Sequence, residues 1–223
     1  MPGRLVVFSG LDGSGKSTQI DRLAERLRHD HVSLIRIWSR GGYTPGMEWL
    51  KACLRRMTGK KIIPSAGPSA ERTRRMSRPW VRRSWLVFSI LDLLWLYAVC
   101  LRLRLWRGTW VLADRYLQDT QLDFRLNFPE ENVDRWWLWR LLCWLSPRPD
   151  VAILLMLPVE ESLRRSVQKD EPFPTPPEQL EDRAHQYAVW AQLPMWTVID
   201  GQHDPQSITE QILAQLYSGN GKS

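Results

Sequence analysis

Eight consecutive residues, Gly10-Leu11-Asp12-Gly13-Ser14-Gly15-Lys16-Ser17, concentrate groups that could handle phosphate. They fit the pattern G-x-x-x-x-G-K-[ST], and each residue type in it has a physical reason. Glycines let the backbone curl until its N–H groups face inward and cradle phosphate oxygens. A lysine next to the end can reach the outer phosphates, and the hydroxyl after it can ligate Mg²⁺. Gly10, Gly13, Ser14, Gly15, Lys16, Ser17 and Thr18 are therefore the candidate nucleotide-binding residues. The flanks agree. The β-like run Leu5-Val6-Val7-Phe8 precedes the loop, and a helical run, Ser17 to Leu27, follows it. A helix starting there adds the positive end of its dipole to the same spot.

Other clusters could complete such a site. Asp114-Arg115-Tyr116 follows the β-like run Trp110-Val111-Leu112-Ala113. In open parallel sheets, ligands bind just beyond the carboxyl ends of strands. There Asp114 could help hold Mg²⁺ with Ser17, and Arg115 could grip a phosphate. Arg165 and Lys169 lie four residues apart on a predicted helix and share a face, with Arg164 adjacent. They lead into Pro172, Pro174, Pro176 and Pro177, as lid residues would. Transfer of a phosphoryl group needs cations around its equatorial oxygens more than it needs covalent chemistry. Arg165 is thus a candidate catalytic cation with Lys16, Arg115 and Asp114, and Lys169 a candidate nucleotide contact.

These groups need a scaffold, and strands alternating with helices supply one: an α/β fold with a parallel sheet. Strands are predicted at Arg4–Phe8, Ser33–Trp38, Thr109–Ala113, Val151–Met156 and Trp196–Ile199. Helices are predicted to about His29, over Met47–Met57, Trp80–Trp106, near Gln118–Arg125, and over Glu130–Leu145, Glu160–Lys169 and Glu178–Gln192. A last one follows the Asp204-Pro205 cap and ends near Tyr217.

Bulk properties bound the rest. At 223 residues, 43% hydrophobic and 25% charged, the chain reads as one globular domain, 1–217, with a lid at 165–177 and a frayed tail at 218–223. The net charge of +7 comes almost wholly from arginine, which suits bidentate phosphate contacts. It fits nucleotides, nucleic acid or an anionic membrane surface. The arginines at 72, 74, 75, 78, 82 and 83 come with no nucleic-acid motif, so nucleic acid is not expected. Three scattered cysteines form no metal or disulfide pattern, and the start lacks a signal-peptide core, so a cytoplasmic setting is expected. Trp85–Leu101 is nearly all apolar but contains Asp92. It reads as a buried core helix rather than a span of a bilayer about 30 Å thick. Most of the 13 tryptophans, Trp85, Trp95, Trp106, Trp136, Trp137, Trp139 and Trp144 among them, lie in apolar runs and are expected to pack in the interior.

The run Phe8-Ser9-Gly10-Leu11-Asp12-Gly13-Ser14-Gly15-Lys16-Ser17-Thr18-Gln19 resembles the opening of thymidylate kinases. Asp114-Arg115-Tyr116 resembles that family's Asp-Arg-aromatic motif, and Pro149-Asp150-Val151 the entry to its fourth strand. Leu163-Arg164-Arg165 with Lys169 resembles its lid helix, Arg183 and Tyr187 the helix after the lid, and Trp196 to Gly201 its last strand and turn. The resemblance implies a P-loop kinase fold, a five-stranded parallel sheet flanked by helices, in a homodimer that uses ATP and Mg²⁺. It places Lys16, Ser17 and Arg115 on nucleotide phosphates, Asp12 near the acceptor's sugar, Asp114 near Mg²⁺, and Arg40 roughly at the family's Arg-Glu-Pro segment. Aligning Phe88 with the family's helix motif puts Asp92 where a base-reading arginine stands, and the Glu-Pro after Arg40 is missing. The stretch from Asp114 through Asp119 to Asp123 carries carboxylates where thymidylate kinases favour small or aromatic residues. Arg40, Phe88, Asp92, Asp119 and Asp123 join Asp12 as candidate acceptor contacts. The expected function is transfer of the ATP γ-phosphoryl to a nucleoside monophosphate or similar small phosphate acceptor, with thymidylate a poor one. The alternatives are a small-molecule hydroxyl kinase, with Asp92, Asp119 or Asp123 as base, or a nucleotide-binding module with weak hydrolysis.

Overall fold

In a computed structural model of the chain, which describes residues 3–38, 76–168 and 177–218, five apolar runs become parallel strands. They are β1 (Leu5–Gly10), β2 (Leu34–Trp38), β3 (Trp110–Asp114), β4 (Val151–Met156) and β5 (Trp196–Asp200), in the spatial order β2-β3-β1-β4-β5. All six β1 residues are buried, as expected of a central parallel strand covered on both faces. The phosphate loop thus leaves the sheet next to the strand whose end carries Asp114. The register pairs Phe8 with Asp114 and Gly10 with Leu155.

Helices cover the sheet because strands of this kind leave both faces apolar. Helix α1 (Lys16–His29) packs Ile20, Leu23, Ala24 and Leu27 against Val6, Phe8, Leu112 and Ile153. The last helix, α8 (Pro205–Ser218), joins the same core through Ile208, Ile212 and Leu216. Asp204 caps α8 as expected, accepting from the Gln206 and Ser207 backbone N–H groups at 2.9 Å each. These bonds hold its carboxyl below the usual range.

The described residues form two compact units. One holds the sheet: the residues up to Trp38, Leu103–Asp119, and those from Arg148 on. The other is helical: 76 to Arg102, and Thr120–Pro147. The helical unit is built on α2 (Pro79–Leu94), which continues through a π-helical turn, Trp95–Leu101, into the short α3 (Arg102–Trp106). Leu86, Ile90, Leu93, Tyr97 and Leu101 repeat at three- and four-residue spacing and are buried. The other side of this helix is not buried: Trp80, Phe88, Leu91 and Trp95 are 68%, 51%, 46% and 63% exposed. The expectation of a wholly buried core helix therefore holds for one face only. By length and composition, Pro79–Trp106 is also the one helix among the described residues able to cross a membrane.

Two further expectations change. The predicted helix from Glu130 starts instead at Trp137, because Asn132 adopts a left-handed conformation (φ 44°) and Trp136 is extended. Two 3₁₀ turns, Pro129–Glu131 and Val133–Arg135, precede α5 (Trp137–Leu145), after α4 (Leu117–Asn127). The tryptophans divide as well. Trp139, Trp110, Trp190 and Trp196 are buried, but Trp95, Trp106, Trp137 and Trp144 point to solvent, since they fall on the outer faces of their helices. The expected helix at 47–57, the tail beyond 218, Cys53, Arg40, Lys169 and most of the lid segment lie outside the described residues.

Candidate active site

The loop geometry follows from its glycines. Gly10, Gly13 and Gly15 have φ of 145°, 77° and 92°, a region that side-chain-bearing residues seldom adopt. Among the described residues, a Cβ on Gly15 would meet no atom within 4 Å. Lys16 is 7% exposed, and its Nζ donates to the Gly10 and Leu11 carbonyls at 2.9 and 2.6 Å. Burial, together with the nearby Arg115 charge, pushes the Lys16 ammonium down to about 8. Ser17 and Thr18 open α1 with exposed side chains.

Arg115 leaves β3 with φ 71°, a conformation that costs a non-glycine residue about 1–3 kcal/mol and clusters at functional sites. That turn sends the guanidinium to the phosphate loop, where Nη2 donates to Asp12 Oδ1 at 2.5 Å. Its other amino group, Nη1, donates to the Tyr187 hydroxyl at 3.4 Å. Asp114 ends β3, one residue before Arg115 and beside the loop. Burial is the main influence on its carboxyl, raising it above the usual range, and the Lys16 and Arg115 charges oppose the rise.

The helix after β4, α6 (Val159–Gln168), is tied to the same loop. Ser162 Oγ donates to the Asp12 carbonyl at 2.6 Å. Arg165 Nη1 donates to Gly201 O at 3.0 Å and to Gly13 O at 3.4 Å. Glu161 orients Arg165 through its Nε at 2.6 Å and also pairs with Arg164. The two arginines hold the Glu161 carboxyl down to about 2. A Cβ on Gly13 would stand 3.0 Å from that of Arg165, so loop and helix pack at close range.

The structure therefore brings together Asp12, Lys16, Asp114, Arg115 and Arg165 around one loop. Asp119, expected to touch the acceptor, is 1% exposed. Its carboxylate accepts from Ser9 Oγ at 2.5 Å and from the hydroxyl of Tyr187, on α7 (Pro177–Trp190), at 2.7 Å. Phe88, Asp92 and Asp123 belong to the helical unit. Phe88 is half-exposed on α2, Asp92 turns one carboxylate oxygen inward, and Asp123 is 5% exposed on α4. Sequence reasoning missed Ser9 and Ser162. Lone serines carry no spacing signal, and only the fold shows that one precedes the loop on a buried strand while the other meets it from α6.

Comparison with known proteins decides the family. The chain is 30% identical over 219 residues to a thymidylate kinase of Synechococcus sp. (strain CC9902), covering 96% of this chain and 97% of that one. The chain belongs to the thymidylate kinase family. It is a nucleotide kinase, a phosphotransferase. It is also 26% identical over 234 residues to the thymidylate kinase of Parasynechococcus marenigrum, spanning 99% and 100% of the two chains. A third, from Rhodopirellula baltica, is 32% identical over 168 residues, 74% of this chain but 58% of that longer protein. No family profile matches the chain. The fold agrees with the family's: an all-parallel five-stranded sheet flanked by helices.

The donor set also meets the needs of a nucleotide-bound cation. Asp114 Oδ1 is buried with no hydrogen-bond partner among the described residues. Among those residues, no cluster of three or more metal-ligating side chains exists. One carboxylate and the Ser17 hydroxyl suit Mg²⁺, which keeps several waters and takes further ligands from substrate phosphates.

Proposed function

We propose that this kinase moves the γ-phosphoryl of ATP to a nucleoside monophosphate. The observation that carries the reading is the convergence of Lys16, Arg115 and Arg165 on one glycine loop beside the buried Asp114 oxygen. Backbone N–H groups of the loop bind and orient the phosphates. Lys16 exchanges its carbonyl partners for phosphate oxygens, and Arg165 and Arg115 stabilise charge that spreads over the transferring group. Asp114 and Ser17 would hold Mg²⁺, which supplies charge neutralisation to the phosphates when bound.

A phosphate acceptor is already an anionic nucleophile and needs no side-chain base, whereas a hydroxyl acceptor benefits from one. Asp119, a candidate base for the hydroxyl alternative, has its carboxylate committed to Ser9 and Tyr187, which supports the phosphate acceptor. Among bases, Asp92 favours one that offers an amino donor over thymine, because a carboxylate opposite a carbonyl leaves two acceptors facing each other. Steady-state assays with ATP and each common nucleoside monophosphate test both points. Activity on no monophosphate overturns the reading. Thymidylate as best acceptor, undiminished in Asp92→Asn, overturns the role of Asp92.

The partner we propose for the outer face of α2 is a second copy of the chain. Phe88, Leu91 and Trp95 form an exposed apolar strip, with the partly exposed Asp92 beside it, that can pack on itself about a twofold axis, as an isologous interface requires. Sedimentation of wild type and Phe88→Arg should show a dimer and a monomer respectively. A monomeric wild type rejects the proposal.

A further inference from the structure

Asp119 lies beyond the phosphate loop, yet its carboxylate reaches the catalytic arginine through one intermediary. Oδ2 accepts from Ser9 Oγ at 2.5 Å and faces the Tyr116 backbone N–H at 3.5 Å. Oδ1 accepts from Tyr187 Oη at 2.7 Å and stands 3.9 Å from Arg115 Nη1. Tyr187 Oη in turn accepts from Nη1 at 3.4 Å. The phenol therefore stands between a buried cation and a buried carboxylate. Both are nearly inaccessible, with side-chain exposures of 6% for Arg115 and 1% for Asp119.

Oppositely charged groups at that depth normally close to hydrogen-bond distance, because desolvation strengthens their attraction. Here they do not. The Tyr187 hydroxyl satisfies Oδ1 with a neutral donor and gives Nη1 a neutral acceptor. Burial, reinforced by the Asp119 charge, keeps the phenol protonated by raising it far above its ordinary value. The remaining amino group, Nη2, stays on Asp12 at the loop. We propose that Tyr187 and Asp119 are positioning residues that hold Arg115 at the phosphate loop. The hydroxyl acts as a spacer that stops Asp119 from capturing the guanidinium. This rests on the phosphotransfer reading above only for its kinetic arm.

The spacer makes a prediction with a sign that a merely structural role lacks. Tyr187→Phe keeps the ring and removes the oxygen. Oδ1 then lacks its donor, and the nearest cation among the described residues is Arg115 Nη1, 3.9 Å away, so the guanidinium swings toward Asp119 and away from Asp12. kcat should fall about 10-fold or more, the worth of a hydrogen bond to a charged group, with KM for ATP little changed. Adding Asp119→Asn removes the captor's charge, and a neutral amide holds a guanidinium more weakly than a carboxylate does. The double variant should therefore be more active than Tyr187→Phe alone. A double variant equal to or worse than the single one overturns the proposal. A crystal structure of Tyr187→Phe reads the same question without activity. The Arg115 Nη1 to Asp119 Oδ1 distance should shorten from 3.9 Å to hydrogen-bond length, and an unchanged distance overturns the proposal. If the wild type phosphorylates no acceptor, the functional reading fails by itself, and this distance still decides the spacer.

Discussion

The sheet unit and the helical unit spend their polar and apolar side chains in opposite ways. In the sheet unit, several charged groups are drawn inside and matched: Lys16 with carbonyls, Arg115 with Asp12, Asp119 with Ser9 and Tyr187. In the helical unit, the buried Glu131 gathers Arg82 and Arg83 at 2.7 and 2.8 Å, while Trp137 and Trp144 stand 74% and 78% exposed. Removing an inward charge from the sheet unit should cost chemistry, and removing Glu131 from the helical unit should cost stability. Buried polar groups are costly unless satisfied, so each unit's satisfied set marks what that unit must keep.

The largest effect should come from Lys16→Ala. Turnover should drop roughly 100-fold or more, since a few kcal/mol of transition-state stabilisation goes with the ammonium. Its melting temperature should stay level or rise, because a buried lysine is itself costly. Wild-type turnover would break the contrast at its strongest point.

Glu131→Gln should do the reverse. It leaves two arginines sharing a neutral acceptor and should destabilise by about 1–3 kcal/mol in denaturant titration. kcat should be unchanged. A variant with native stability and impaired turnover would show that the helical unit carries chemistry after all.

The smallest signal is a proton. Free Lys16 titrates at about 8, and bound phosphate raises that value by favouring the charged form. Nucleotide binding near pH 8 should therefore take up a fraction of a proton, and affinity should fall as pH rises further. Calorimetry in two buffers of different ionisation enthalpy measures the uptake. Identical heats would place the titration elsewhere.

Sequence made the sheet and loop legible because their signals are local. β1, the glycine loop and the start of α1 are contiguous, and each strand is a short apolar run between turns. Asp114-Arg115 could be read because its β-like run comes directly before it. The Ser9–Asp119–Tyr187 chain could not be read, since its members are separated by |i−j| of 110 and 68 and have no fixed spacing. The start of α5 is not legible because Asn132 interrupts an otherwise helical pattern with a left-handed residue. The exposed tryptophans are not legible either, because hydropathy reports that a side chain is apolar, not which side of its helix it leaves.

The conformation of Arg115 bears on how such a position can drift. If folding alone were under selection, a residue at φ 71° would settle on glycine or asparagine, which adopt it at little cost. A mutational library at 115, sorted first for folded protein and then for growth that depends on the enzyme, should enrich those two in the first sort and arginine in the second. The same enrichment in both sorts would mean that the arginine's ion pairs, not its task, keep it there.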